Sequence, residues 1–121
     1  MFFLDTYALV EVIKGNARYA PYLQMTWMTT KLNLMELYYT LLRLYDEALA
    51  EKWYQRLLPM CTVVSDDIVK RAMKLRLQQR KMRNLVSYVG CIGYCLALSV
   101  GMKFLTGEKH FARLGNVEFI R

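Results

Sequence analysis

The amino-acid sequence predicts a three-layer α/β domain, with a mostly parallel central sheet and helices on both of its faces. Three observations predict it. Short apolar runs alternate along the chain with longer segments whose apolar residues recur at helical spacing, the pattern of consecutive βαβ units. The 121 residues are 55% hydrophobic and include only two prolines and six glycines, which suits one domain over residues 1–121 with little room for linkers. Acidic residues also fall where strands end, and in sheets built by right-handed crossovers ligands bind beyond the strands' carboxyl ends.

Taken in order, Phe2-Phe3-Leu4-Asp5 reads as a buried strand, and Thr6 as the cap of an amphipathic helix reaching Lys14 before Gly15-Asn16. A weak strand is expected over Thr26 to Thr29. Leu34, Leu37, Leu41 and Leu44 mark a strong helix from Leu32 to Leu44, with Glu36 in its first turns. A helix from Asp46 to Leu58 carries Trp53 and Leu57 four apart, and Pro59 ends it because proline lacks the backbone donor. Cys61-Thr62-Val63-Val64 reads as a further buried strand. Ser65-Asp66-Asp67 starts a helix running to about Lys81, its acids well placed at the positive end of the dipole. Ser87 to Val100 is an apolar helix stopped by Gly101, Lys103 to Thr106 a strand with Gly107-Glu108 at its end, and Val117 to Ile120 a last strand.

Seventeen Lys and Arg against ten Asp and Glu give a net charge of +7, which favours a polyanionic partner such as nucleic acid. Lys70, Arg71, Lys74, Arg76, Arg80, Lys81 and Arg83 concentrate that charge between positions 70 and 83, as phosphate contacts or as a solvated helix face. Cys61, Cys91 and Cys95 are an odd number in a chain that does not start with a basic, apolar leader, so a reducing cytoplasmic setting is expected. Cys91 and Cys95 share a helix face with His110 as a third ligand to consider, yet no fourth residue has zinc-site spacing, and buried small hydrophobes are the better reading. From Leu85 to Met102 no residue is charged, long enough for a membrane span. Its glycines, serines and tyrosines dilute the hydrophobicity, so a buried helix and no membrane contact are expected.

Asp5, Glu36 and Glu108 carry the chemistry. Two strand ends and one helix start converging on three carboxylates would create strong repulsion, which a divalent cation neutralises, and oxygen-only ligands point to Mg²⁺ or Mn²⁺. An acidic metal centre in a basic chain suggests phosphodiester cleavage. There is no glycine-rich phosphate loop and no paired histidine to support another chemistry. Each acid also has a structural alternative: Asp5 a helix cap, Glu108 a turn residue, and Glu36 an ion pair with Lys31, Arg43 or Lys103.

Four segments match one family. Phe3-Leu4-Asp5-Thr6, Asn33-Leu34-Met35-Glu36-Leu37, Ser87-Tyr88-Val89-Gly90-Cys91-Ile92-Gly93-Tyr94 and Phe104-Leu105-Thr106-Gly107-Glu108-Lys109-His110-Phe111 closely resemble the PIN domain in order and spacing over almost the whole chain. The resemblance is strongest to small prokaryotic toxins of VapBC type. It implies a PIN-like α/β/α fold and a metal-dependent endoribonuclease cutting single-stranded RNA, a homodimer restrained by an antitoxin protein. Asp5, Glu36 and Glu108 would be the catalytic and metal-binding acids, and Thr106 would orient a metal-bound water.

The sequence departs from the family at Gly90, where an Asp is expected, and at Glu108, usually Asp. With Ser87 as N-cap, position 90 is N3, where an acid would complete a capping box, and glycine forgoes it at about 1 kcal/mol of helix propensity. A missing ligand whose space water could fill implies a weakened enzyme, or a noncatalytic PIN-like module that binds RNA or antitoxin. Tyr38, Tyr39, Tyr45, Trp53, Tyr54 and Leu57 supply aromatic and apolar area for such a partner or for the core.

Overall fold

A computed structural model describes residues 1–121. Four short strands, β1 (Phe2–Leu4), β2 (Trp27–Met28), β3 (Lys103–Thr106) and β4 (Val117–Phe119), form one sheet in the order β2-β1-β3-β4. Every pairing is parallel, with Phe3 opposite Met28 on one side and Phe104 on the other, and Thr106 opposite Phe119. Parallel neighbours require crossovers. Helix α1 (Thr6–Ile13) connects β1 to β2, and α2 (Lys31–Leu44), α3 (Glu47–Leu57), α4 (Asp66–Lys81) and α5 (Tyr88–Ser99) lie between β2 and β3.

Alternation along the strands divides the core into two layers. Phe3 and Phe104, directly opposite and with rings stacked 5.8 Å apart, face α4, α5 and the buried Phe111. Leu4 and Leu105 face the opposite layer, where Leu9 of α1, Leu34, Leu37 and Leu41 of α2 and Leu57 of α3 complete the core. The fold is the expected α/β/α sandwich. It carries two crossed-over halves that bring the carboxyl ends of β1 and β3 side by side, and Asp5 N–H donates to Leu105 O at 3.1 Å there.

Most element boundaries agree with the sequence to within two residues, and two segments differ. Cys61–Val64 is not a strand: only Cys61 makes an isolated parallel bridge, to Thr29, and Val63 is 89% exposed. Cys61 is extended and Thr62 N–H donates to Thr29 O at 2.9 Å, so the segment meets the sheet edge beyond the two-residue β2 at this one place. Thr6 is also not a cap but the first residue of α1, and Asp5 holds the N-cap position without a side-chain capping bond to the N2 or N3 amide. Ser65 and Ser87 cap α4 and α5 as expected, accepting from Ile68 N–H and Gly90 N–H.

Within the uncharged run only Tyr88–Ser99 is helical, the twelve-residue α5, buried from Gly90 to Ala97, and no helix is long and apolar enough to cross a membrane. Cys91 and Cys95 lie inside this core, where burial pushes the Cys91 thiol up to about 12 and also raises Cys95. The central aromatics divide. Tyr38, Trp53 and Tyr54 pack partly against the core, with Tyr38 and Tyr54 edge to face at 5.8 Å, whereas Tyr39 and Tyr45 are exposed.

Candidate active site

Asp5 leaves the end of β1 with extended backbone, and its side chain bonds across the sheet edge instead of capping α1. There the Thr106 hydroxyl, at the end of β3, donates to Asp5 Oδ2 at 2.7 Å, and Asn33 Nδ2 reaches Oδ1 at 3.5 Å. The carboxylate is only 6% exposed. Desolvation raises its pKa from 3.8 to about 6, the Thr106 bond and a backbone bond oppose the rise, and the charges of Glu36 and Glu108 add to it. Both glutamates are thus close enough to Asp5 to be felt.

Glu36 sits on the second turn of α2, half-buried, where Thr6 Oγ1 donates to its Oε1 at 2.6 Å. It forms no ion pair with Lys31, Arg43 or Lys103. It lines an open cleft of about 580 Å³ with Thr6, Met35, Tyr39 and Thr40. Glu108 is arranged differently. Its Oε2 accepts from His110 N–H at 2.8 Å, closing a short 3-10 turn, and its Oε1 lies 2.8 Å from His110 Nδ1.

Asn33 and Thr6 also belong to the site, although the sequence marks Thr6 only as a helix cap and gives Asn33 no role of its own. Asn33 is fully buried, and its Nδ2 donates to Thr6 Oγ1 at 3.0 Å as well as to Asp5, while its Oδ1 accepts from Thr30 at 2.7 Å. The readable signal was a polar residue on the apolar face of α2, three positions before Glu36 and therefore on its side of the helix. One continuous hydrogen-bond chain results: Glu36 to Thr6, Asn33, Asp5, Thr106 and the Glu108 N–H, which donates to Thr106 Oγ1 at 3.1 Å. Thr106 therefore spends its proton on Asp5 and orients that carboxylate. Asn33→Ala removes its side-chain bonds to the buried Asp5 and Thr30 and to the half-buried Thr6 and is expected to lower stability by about 2–3 kcal/mol, measured as an earlier urea midpoint at unchanged slope.

The donor set is all oxygen and hard, which fits Mg²⁺ or Mn²⁺. No three acidic, histidine or cysteine side chains lie together as a ready metal cage. Mg²⁺ commonly takes one or two carboxylates and keeps its remaining waters, so Asp5 and Glu36 fit a hydrated ion, whereas both Glu108 oxygens are engaged by His110.

The PIN domain family model matches residues 2–117. The chain belongs to the PIN domain family. Among solved structures this PIN domain is similar to a toxin-antitoxin complex from Klebsiella pneumoniae, with TM-score 0.76 and 18% identity over 98% of this chain and 96% of that one. VapBC2 from Rickettsia felis, bound to a promoter DNA fragment, gives TM-score 0.76 and 17% identity over 98% and 96% of the two chains. VapC20 from Mycobacterium tuberculosis, described as a sarcin-ricin loop cleaving toxin, gives 0.74 and 18% over 97% and 98%. Comparison with curated protein sequences returns no match.

Within the PIN domain, Gly90 corrects one expectation. The space beside it is not left for water: a Cβ there would lie 2.7 Å from two ring carbons of Phe111 and 2.6 Å from Ser87 Oγ. Phe111 is itself fully buried, 5.0 Å from the Phe104 ring and 6.1 Å from the Tyr94 ring. The absence of a side chain at position 90 lets this aromatic cluster close over the start of α5.

Proposed function

We propose that this chain is a PIN-type, metal-dependent endoribonuclease acting on single-stranded RNA, the toxin of a toxin-antitoxin pair, with activity weakened by glycine at position 90. The observation that carries this reading is Asp5: a buried carboxylate, destabilised by desolvation and by Glu36 and Glu108, at the carboxyl end of a parallel sheet. Such an arrangement costs folding energy and is retained where a cation or a reacting group uses it.

Asp5 and Glu36 would hold a Mg²⁺ or Mn²⁺ ion, with Glu108 as a third ligand once it releases His110. When bound, the cation supplies Lewis acidity toward a phosphate oxygen and lowers the pKa of water. The protein's own work is positional. Thr106 and Asn33 fix the two oxygens of Asp5, Thr6 fixes Glu36, and the cleft beside Glu36 offers the exposed Tyr39 ring, which suits stacking by an unpaired base. The similar structures include toxin-antitoxin assemblies, which supports an antitoxin partner. The exposed Met35, Tyr39, Leu42 and Tyr45 along α2 and just after it suit contact with that partner or with a second copy in a homodimer. A cytoplasmic setting agrees with both substrate and partner.

The test is cleavage of a synthetic single-stranded RNA by the purified protein with Mn²⁺ or Mg²⁺. Glu36→Gln is expected to slow cleavage by at least about 10-fold while leaving the melting temperature nearly unchanged, since glutamine still accepts from Thr6. Retained RNA binding with no cleavage under any divalent cation would replace this reading with a noncatalytic PIN-like binding module, which the Phe111 ring over Gly90 favours.

A further inference from the structure

A second cavity, of about 500 Å³, opens between the end of α4 and the 3-10 turn after β3. Arg83, Lys109, His110 and Arg113 line it, and no acidic side chain does. Arg83, Lys109 and Arg113 are exposed and pair with no carboxylate elsewhere. The two walls are tied together from behind. Asn84 Nδ2 donates to His110 O at 2.8 Å and to Oε1 of the buried Gln79 at 2.9 Å. The cavity is thus built before any ligand arrives, which reduces the ordering cost of binding.

Arg83 is the telling residue. Asn84 N–H donates to Gln79 O and Arg83 N–H to Arg80 O, each at 2.9 Å, the pair of bonds that ends a helix in a Schellman motif. The residue in Arg83's place adopts the left-handed conformation, here φ 62°, and is normally glycine, which enters that region without steric cost. An arginine held there lines the cavity with an exposed cation at the expense of backbone strain, and such strain clusters at binding sites.

We propose that this cavity binds a backbone phosphate of single-stranded RNA beside the acidic centre. The inference rests on the ribonuclease reading for the identity of the polymer. Guanidinium and ammonium groups without carboxylate partners match phosphate oxygens. His110 joins the two places: its carbonyl is held by Asn84 on the basic side, and its Nδ1 faces Glu108 on the acidic side. A strand crossing the Asp5 centre therefore has a cationic seat for a neighbouring phosphate. An acidic peptide would meet the same cations, but adjacency to Glu108 favours the polymer that the acidic centre would cut.

The experiment measures binding of a labelled single-stranded oligoribonucleotide in EDTA, so that cleavage does not intervene, across a salt series. Arg83→Gly is expected to melt at the same temperature as the wild type or higher, because glycine relieves the left-handed strain. It should nevertheless bind about tenfold more weakly at low salt, as for loss of one charge-assisted contact. The slope of log affinity against log salt should become shallower by about 0.7 for the phosphate lost. Lys109→Gln/Arg113→Gln, on the opposite wall, should do the same, and Lys52→Gln on α3 should do neither. Unchanged affinity and slope in both cavity variants would overturn the phosphate seat and leave the nuclease reading standing. No RNA binding by the wild type would overturn both. Unchanged RNA binding with lost affinity for polyglutamate would overturn the proposal in favour of an acidic protein segment.

Discussion

Replacing Asp5 with asparagine is expected to make the metal-free protein more stable and, in the same step, to abolish cleavage. The native pKa of Asp5 is raised from 3.8 to about 6, first by burial. Below pH 3.8 the carboxyl is neutral in both folded and unfolded chains and imposes no penalty. Between 3.8 and about 6 only the folded chain holds the proton, so stability falls as pH rises; above 6 the full cost of a buried charge remains, roughly 3 kcal/mol at 1.36 kcal/mol per pH unit.

Asparagine keeps an oxygen for the Thr106 hydroxyl but sets its amide hydrogens against those of Asn33, which offsets part of the gain. A net stabilisation of about 1–2 kcal/mol at pH 7.5 is expected, read as a melting temperature several degrees higher in EDTA. The difference should fall by about 2 kcal/mol and change sign as the pH is lowered to 4, because the charge penalty vanishes while the clash with the Asn33 amide remains. Saturating Mg²⁺ should raise the melting point of the wild type alone, because a ligand that binds only the native state stabilises it by mass action. Cleavage should fall by at least about 100-fold, since loss of a direct ligand exceeds the 10- to 100-fold usual for its supporting groups. A variant that melts lower than wild type at pH 7.5 in EDTA would show that the Asp5 charge is favourable in the fold, contrary to its burial.

Gly90→Asp, the substitution that restores the family's acid, is expected to damage the protein before it improves it. The new Cβ would overlap the Phe111 ring and Ser87 Oγ at 2.6–2.7 Å. Overpacking of this kind costs about 1–3 kcal/mol, so a melting temperature lower by roughly 5–15 °C and no gain in cleavage are expected. Phe111→Leu makes room. The double variant Gly90→Asp/Phe111→Leu should lose less stability than the sum of the single changes, as contacting residues do, and should cleave RNA faster than the wild type with Mn²⁺. A Gly90→Asp protein that melts normally and cleaves faster on its own would show that Phe111 yields without cost.

Much of the fold was legible because periodicity is a local signal. The alternation of Phe3 with Leu4 and of Phe104 with Leu105 assigns each to a face of the sheet, and the leucine spacing of α2 survives as its buried stripe. Cys61–Val64 misled because β-branched composition reports an extended backbone, whereas a strand also needs a partner along its length, and β2 offers only two residues. Thr6 misled for a related reason: a threonine ahead of an apolar helix usually caps it, but here its hydroxyl is drawn to Glu36, thirty residues away.

At the site, the sequence by itself determined the acidic character of Asp5, Glu36 and Glu108, the missing side chain at Gly90 and the basic excess around them, because these are properties of residue type and order. Only the tertiary structure decided how those residues are engaged. Burial made Asp5 a weak acid, Asn33 and Thr6 linked it to Glu36, His110 drew Glu108 into a local pair, and Phe111 filled the space beside Gly90. Each of these depends on desolvation or on a contact between distant segments, and both arise only when the chain closes on itself.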